Sequence, residues 1–138
     1  MNRQIKFRAW HYFSKTFLTI NNLIINPDSN EIIGVEDING DAYDISEAGV
    51  ALLESTGLQD KDGKDIYEGD ILQFKSQSLL DSWAGKKMAT MVARIYWNQE
   101  ELAFYIINKK ADFKPNMRTD NNQFEIIGNI YENPSLVE

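Results

Sequence analysis

The fold of this chain is decided by one stretch, Thr56-Gly57-Leu58-Gln59-Asp60-Lys61-Asp62-Gly63-Lys64-Asp65-Ile66-Tyr67-Glu68-Gly69-Asp70-Ile71-Leu72. Three of its residues are glycines at positions typical of turns, and the dipeptide Asp62-Gly63 is a strong β-hairpin signal. Its aspartates suit turn geometry, and we expect Asp60 and Asp62 to point to water. The last residues predict an apolar strand over 70–75. The stretch therefore indicates a hairpin that leads into a sheet.

Short strands and frequent turns are predicted on both sides of this stretch. Phe13 and Phe17, with Leu18 and Ile20, indicate a strand beside a turn at Ser14-Lys15. The Asn39-Gly40 dipeptide predicts a tight reversal. A weak helix is predicted over residues 46–53 with Ser46 as its cap. Further strands are predicted over residues 5–10, 32–35, 90–97, 102–108 and 124–131, the last with a bend or bulge at Gly128. Residues 23–25 form a short apolar stretch that ends at a turn cluster over residues 26–28.

This pattern indicates a mainly β fold, a small β-barrel or roll with at most one or two short helices. A length of 138 residues fits a single domain, within which two lobes over residues 1–55 and 56–138 are an option. The absence of cysteine excludes disulfides and thiolate chemistry. The sequence shows no signal peptide and no apolar run of membrane-spanning length, so we expect a soluble intracellular protein.

The net charge of −7 is unevenly distributed along the chain. Residues 1–27 carry +4, residues 28–70 carry −11 and residues 71–138 carry 0. The acidic segment 28–70 disfavours non-specific electrostatic binding to nucleic-acid phosphates. A local basic face remains open as an alternative, either on the first strand or around Lys109, Lys110, Lys114 and Arg118.

Three stretches, taken in order, resemble the YopX family. They are Ile5-Lys6-Phe7-Arg8-Ala9-Trp10, the central stretch quoted above, and Ile126-Ile127-Gly128-Asn129-Ile130-Tyr131-Glu132-Asn133-Pro134. The resemblance implies a phage or prophage protein of bacteria, located in the host cytoplasm. It also implies a β-rich fold whose later part is an SH3-like barrel. The family has no established biochemical function, so no catalytic residue carries over. The chain departs from the family at His11-Tyr12-Phe13, where members often have acidic or polar residues.

The sequence shows no catalytic or metal-binding constellation of a familiar kind. A calcium loop counted from Asp60 fails, because its glycine falls at position four and its twelfth residue is Ile71. His11 is the lone histidine and is predicted to be structural. Phosphate-binding glycine loops and the G-x-S-x-G nucleophile motif are missing as well. We therefore expect no enzyme activity, no metal and no cofactor.

The aromatic side chains are the remaining candidates for a binding surface, although most are predicted to be core residues or cross-strand pairs. Exposed aromatic residues beside cations can bind an extended peptide or stack on bases. The interaction residues that we predict are Trp83, Arg94, Trp97 and Tyr105.

The function that we predict is that of a non-enzymatic protein–protein interaction or self-assembling module. A small β-barrel with exposed strand edges readily forms homo-oligomers. Its partner would be a second copy, a host protein or a phage protein. One alternative is a nucleic-acid-binding module, which requires Arg3, Lys6, Arg8 and Arg94 to share a surface with aromatic residues. Another is an acidic mimic of nucleic acid that inhibits a host enzyme.

Overall fold

The chain forms two compact units, Met1–Ser55 and Thr56–Glu138. This computed structural model describes residues 6–76, 89–100, 102–107 and 124–137. The boundary between the units falls at the position proposed between the two lobes, whereas the assignment as one domain stays a prediction. The mainly β class is confirmed by the strands of both units.

The first unit, called unit 1, contains two antiparallel arrangements of strands. Its strands are β1 (Phe7–His11), β2 (Thr16–Leu18), β3 (Ile20–Ile25), β4 (Ile32–Asp37), β5 (Ala42–Asp44) and the first part of β6 (Val50–Gln59). Strand β1 pairs with β2 on one side and with β6 on the other. Strand β4 lies between β3 and β5 in a separate three-stranded sheet.

A small apolar core holds unit 1 together. Ala9, Val35 and Val50 are fully buried and are surrounded by partly buried Leu18, Ile20, Leu23, Tyr43 and Leu52. These residues come from six different strands, and their burial is the main favourable contribution to folding. Strand β6 supplies the alternate residues Val50 and Leu52 to this core, as expected for a strand with one face toward the core.

The second unit, called unit 2, is built on a four-stranded antiparallel sheet in the order β10-β9-β8-β11. Its elements are the end of β6, β7 (Asp65–Tyr67), β8 (Asp70–Ser76), β9 (Ala89–Asn98), β10 (Ala103–Ile107), β11 (Glu125–Asn129) and a 3₁₀ turn (Pro134–Val137). The core consists of Ile66, Leu72, Phe74, Ala93, Ile95 and Phe124. The sheet is compatible with an SH3-like barrel, which stays a prediction.

Strand β11 contains the irregularity predicted for it. Its pairing with β8 shifts register between Ile126 and Gly128. A Cβ on Gly128 would lie 2.5 Å from Oδ1 of Asn133. The absence of a side chain at Gly128 therefore allows the final turn to pack against the sheet.

Aromatic residues form direct cross-strand pairs in both units, as predicted for most of them. Among the described residues, such pairs are Trp10–Phe17, Tyr96–Tyr105 and Trp97–Phe104. Their ring centroids lie between 4.9 and 6.0 Å apart. Such pairs add to the stability of neighbouring strands beyond simple area burial.

The helix predicted over residues 46–53 is wrong. Residues 46–49 form a turn, and Val50 begins the ten-residue strand β6. Residues 50–54 pair in register with all five residues of β1. The ladder supplies backbone hydrogen bonds along this segment, and these outweigh a weak local preference for helix.

Candidate interaction surface

The Asp60 side chain holds the hairpin turn between β6 and β7. Its Oδ1 accepts hydrogen bonds from the backbone amides of Asp62 and Lys64, both at 2.9 Å. Gly63 adopts a left-handed φ of 83°, which a residue with a side chain adopts at a cost. The expectation that Asp60 points to water is wrong, because its carboxylate is buried among amide donors. Asp62 is exposed, as predicted.

The same turn covers the outer edge of β11. Oδ2 of Asp60 accepts a hydrogen bond from the amide of Ile126 at 3.2 Å. The amide of Lys61 donates to the carbonyl of Phe124 at 2.9 Å, and Lys61 Nζ lies 2.6 Å from Oε2 of Glu125. Because Phe124 and Ile126 are two residues apart, these backbone groups share one edge of the strand. The turn therefore occupies an edge that could otherwise pair with another chain.

The environment of Asp60 favours its charged form. Burial alone would raise the pKa of Asp60. The three amide hydrogen bonds and the charge of Lys64 outweigh burial and lower this pKa below its ordinary value of 3.8. A general acid or base at neutral pH needs a pKa shifted the other way. The carboxylate is thus arranged to stabilise structure.

Unit 1 contains the same five-residue turn. Oδ1 of Asp37 accepts hydrogen bonds from the amides of Asn39 at 2.9 Å and Asp41 at 3.0 Å. Gly40 has a φ of 85° and corresponds to Gly63. The hydroxyl of Tyr43 donates to Oδ2 of Asp37 at 3.3 Å. Burial, followed by the charge of Asp37 and this hydrogen bond, raises the pKa of Tyr43 above 10.0.

These turns limit the acidic surface available from residues 28–70. Of the thirteen acids in that range, Asp37, Asp60 and Asp70 are buried. Oδ2 of Asp70 accepts a hydrogen bond from the amide of Tyr67 at 2.8 Å. A surface that imitates nucleic acid would have to be formed by the remaining ten.

The central and final stretches that resemble the family lie side by side in unit 2. Asp70 and Asn129 are register partners. The amide of Ile130 donates to the carbonyl of Gly69 at 2.9 Å. These residues thus build the sheet, which explains why the motifs indicate a fold without indicating a reaction.

Arg94 and Tyr105 lie on one face of the unit 2 sheet, while Trp97 lies on the other. Arg94 is exposed on β9, two residues from Tyr96, whose ring lies 6.0 Å from that of Tyr105. Trp97 contacts Phe104 edge-on, and Phe104 packs against the core. Since successive strand residues face opposite sides, the sheet separates Trp97 from the other two. Trp83 lies outside the described residues, and its contact stays a prediction.

The exposed large apolar side chains of the described residues occur mainly in unit 1, which carries six of eight. Four of these six lie in segments that backbone hydrogen bonds join to one another. They are Tyr12 (37% exposed), Phe13 (91%), Ile33 (44%) and Ile45 (36%), and we call them the apolar rim. Single exposed apolar residues are common on proteins, whereas a group of them is typical of an interaction site.

Backbone contacts connect the segments that carry the apolar rim. The amide of Ile45 donates to the carbonyl of Ile33 at 3.1 Å, which extends the pairing of β4 with β5. Ile45 also forms a β-bridge with Val50. The amide of Tyr12 donates to the carbonyl of Gly49, the residue before Val50, at 3.2 Å. The rim residues therefore belong to one continuous hydrogen-bonded backbone network.

Side-chain contacts fix the turn that displays Phe13. The His11 ring lies 6.4 Å from the ring of Phe13 and 4.8 Å from that of Tyr43. Nδ1 of His11 is hydrogen-bonded to Oγ of Ser14 at 2.7 Å, and Ser14 is hydrogen-bonded to Oγ1 of Thr16 at 2.7 Å. The histidine–serine contact thus lies within a short turn between β1 and β2. Its evident role is to hold that turn.

Acidic residues lie beside one member of the rim, Ile45, whereas exposed Lys15 lies in the same turn as Phe13. Exposed Asp44 and Glu47 flank Ile45 in sequence. Residues 1–55 carry four cations and eight acids, a net charge of −4. A partner that covers the rim would gain from apolar side chains accompanied by basic residues.

The sequence contains a signal for the rim that our predicted site residues did not include. His11, Tyr12 and Phe13 are three consecutive rings immediately before the Ser14-Lys15 turn. A strand can bury only alternate residues on one face, so a run of three rings requires at least one to face elsewhere. The structure places Tyr12 and Phe13 in the turn itself.

The described residues offer no grouped metal ligands. No cluster of three or more histidine, aspartate or glutamate side chains suited to a metal occurs among them. None of the helices in that same part of the chain has the length and apolar character needed to cross a membrane.

Comparisons with known proteins identify a family. The family model described as YopX protein matches residues 6–138. The crystal structure of protein EF1440 from Enterococcus faecalis is similar, with a TM-score of 0.66 and 24% sequence identity. The similarity covers 99% of this chain and 100% of that one, and it shows a shared fold. No curated protein matches the chain.

Proposed function

The chain belongs to the YopX family, and we propose that it is a non-enzymatic protein–protein interaction module. We further propose that it is a phage-type accessory protein that acts in the cytoplasm of its bacterial host. The observation that carries the interaction role is the apolar rim, above all Phe13, which is 91% exposed on a turn held by hydrogen bonds.

The rim has the properties of an interface anchor. Aromatic residues are enriched among the side chains that contribute most to protein–protein binding. Burying an exposed phenylalanine yields about 1.5–3 kcal/mol. Because hydrogen bonds already hold the turn, little conformational entropy is lost when a partner binds. A short turn can thus act as a preorganised binding element.

The chemistry of the partner follows from the surroundings of the rim. Phe13, Ile33 and Ile45 require apolar contacts, and exposed Asp44 and Glu47 beside them favour basic side chains. We therefore propose as partner another protein that presents apolar residues flanked by lysine or arginine. Complementary charge of this kind increases the association rate, and this increase becomes smaller as the salt concentration rises.

Photo-crosslinking from the turn tests this proposal. A photoreactive phenylalanine replaces Phe13 in the full chain, which is then irradiated in host cells that produce it. The matched control carries the same group in place of Leu102, which is 66% exposed and outside the rim. We expect a discrete protein adduct from position 13 that position 102 does not give.

The variant Phe13→Ser supplies a second measurement. The amount of the crosslinked partner protein that binds to Phe13→Ser in a pull-down should be at least about tenfold lower than for the wild type. The variant should still fold, since Phe13 makes few contacts with its own chain. Equal adduct yields from positions 13 and 102, or full capture by Phe13→Ser, would refute a rim-mediated interaction.

Nucleic-acid binding is the second candidate, and one observation favours it. Exposed Arg94 shares a sheet face with Tyr96 and Tyr105, a combination that can stack on bases. Arg3 lies outside the described residues, and the guanidinium of Arg8 lies over the ring of Phe17 at 4.5 Å. A gel shift with single-stranded oligonucleotides at low salt tests this function. Binding that weakens with salt and is lost in Tyr105→Ala would support it.

A further inference from the structure

We propose that strand β3 pairs edge to edge with β3 of a second copy of this chain, in antiparallel orientation, to form a symmetric dimer. This inference goes beyond the proposed function, because it uses the backbone edge of β3 instead of the apolar rim. It can therefore fail while the rim-mediated interaction holds, and the reverse is equally true.

The first argument is that β3 is the edge of its sheet. Among the residues that the structure describes, the order is β3-β4-β5, and no described strand pairs with the outer side of β3. Asn21, Asn22 and Ile25 are exposed on it. An edge strand presents a row of amide and carbonyl groups that can pair with another chain.

The second argument identifies the outward-facing backbone groups. In β4, the amide of Asp37 and the carbonyl of Ile33 form hydrogen bonds on the side of β5, with Asp41 and Ile45 respectively. Because orientation alternates along a strand, Gly34 and Glu36 direct their groups toward β3. Their register partners there are Ile24 and Asn22, which consequently face β4. The residue between those two, Leu23, thus directs its amide and carbonyl outward.

The third argument is charge. Residues 16–27 form the longest uncharged run of the sequence, twelve residues between Lys15 and Asp28, and β3 lies within it. Two copies of a protein with a net charge of −7 repel each other, so a contact between copies needs a segment without acids. Strand β3 itself carries no acid, and the nearby Oε1 of Glu36 on β4 accepts hydrogen bonds from Asn21 and Asn22 at 3.3 Å. The high isoleucine and leucine content of β3 favours pairing.

Three other described edges are less suitable. Strand β5 carries Asp44 and follows Asp41, so two copies would bring like charges together. The outer edge of β11 is already covered by the Asp60 turn. Strand β2 has only three residues.

A two-fold axis through Leu23 gives the most regular pairing. Leu23 would exchange two hydrogen bonds with Leu23 of the second copy, and Asn21 would lie opposite Ile25 of that copy. Register shifts at Ile20/Asn22 and Ile24/Ile25 confine the regular part of the strand to a few residues. So short an interface gives a weak dimer with a dissociation constant in the micromolar range or above.

Two charge variants of the full chain test the pairing by sedimentation equilibrium between about 10 μM and 1 mM protein. In Asn21→Lys/Ile25→Lys, lysines would face each other across both ends of the interface, and we expect the dimer to weaken at least about tenfold. In Asn21→Lys/Ile25→Glu, opposite charges would face each other, and we expect dimerisation at least equal to that of the wild type. Both positions are exposed, and circular dichroism checks that both variants fold.

The outcomes separate this proposal from the proposed function. A wild-type dimer with this pattern of loss and retention supports pairing through β3. A strictly monomeric wild type at 1 mM, or equal effects of the two double variants, would overturn it. Phe13→Ser should leave the dimer unchanged, and Asn21→Lys/Ile25→Lys should leave crosslinking from position 13 unchanged.

Discussion

At the scale of the residue, Asp60 connects two parts of unit 2. One oxygen of its carboxylate accepts hydrogen bonds from two amides of its own turn. The other oxygen accepts a hydrogen bond from the amide of Ile126, sixty-six residues away in sequence. Hydrogen bonds to an ionised acceptor are stronger than neutral ones. The residue therefore links a local turn to the edge of a distant strand.

Replacement of Asp60 by asparagine should destabilise the protein. In Asp60→Asn, the new amide would face the amide of Ile126, donor against donor, and we expect a loss of about 2 kcal/mol in the free energy of unfolding at pH 7. Asp62→Asn is the matched control, because Asp62 is exposed. Its effect should stay within about 0.5 kcal/mol. Urea denaturation measures both, and equal losses would contradict the assigned role.

The contribution of Asp60 should also depend on pH. Its pKa is lower in the folded chain than its ordinary value of 3.8, so the unfolded chain binds a proton first as the pH falls. The stabilisation is complete above about pH 5 and is lost as the pH falls through the folded-state pKa. The difference in stability between wild type and Asp60→Asn should consequently shrink below pH 4. A constant difference down to pH 2.5 would contradict this.

At the scale of the element, the turn between β7 and β8 depends on glycine for two reasons. Gly69 has a φ of 88°, and a Cβ at this position would lie 3.1 Å from Cε2 of Tyr131. Its amide donates to the carbonyl of Ile95 at 2.9 Å. The turn thus joins β9 and the segment after β11 at one point of unit 2.

Two alanine substitutions separate the backbone cost from the steric one. Gly63→Ala places a side chain at φ 83° with no heavy atom within 4 Å, so we expect a cost of about 1 kcal/mol. Gly69→Ala has the same backbone cost and must also displace the Tyr131 ring, so about 1 kcal/mol more is expected. Thermal and urea unfolding measure the pair. Equal costs would show that Tyr131 moves freely.

At the scale of the whole molecule, stability rests on one core in each unit. Ile66 is fully buried in the core of unit 2, whereas Ile38 is 65% exposed. Ile66→Ala should lower the free energy of unfolding by about 3 kcal/mol through lost burial and a cavity. Ile38→Ala should change it by less than about 0.5 kcal/mol. Differential scanning calorimetry and urea titration compare the two, and similar losses would disprove this assignment of core and surface.

The interaction proposals also belong to the whole molecule. The apolar rim and the edge of β3 both lie in unit 1, which has a net charge of −4. The two surfaces use different physics, since the rim offers apolar side chains and β3 offers backbone groups. They are therefore open to separate tests with substitutions at exposed positions.

The sequence by itself determined the strands with clear period-two patterns, the turns at Asn39-Gly40 and Asp62-Gly63, and the family. These signals are local, because a turn needs particular φ angles and a strand needs alternating burial. The helix predicted over residues 46–53 failed for the complementary reason. Its local preference was weak, and pairing with β1, some forty residues earlier, stabilises the strand instead.

Only the tertiary structure decided what the quoted stretch, residues 56–72, does. The sequence showed Asp60 as a turn residue, and folding brings Ile126 to its second oxygen. The sequence likewise showed His11-Tyr12-Phe13 as three rings, and the turn between β1 and β2 determines that Phe13 is exposed while Trp10 is buried. Burial and long-range hydrogen bonds depend on residues distant in the chain. A local pattern can limit the options for such residues, but the complete fold selects among them.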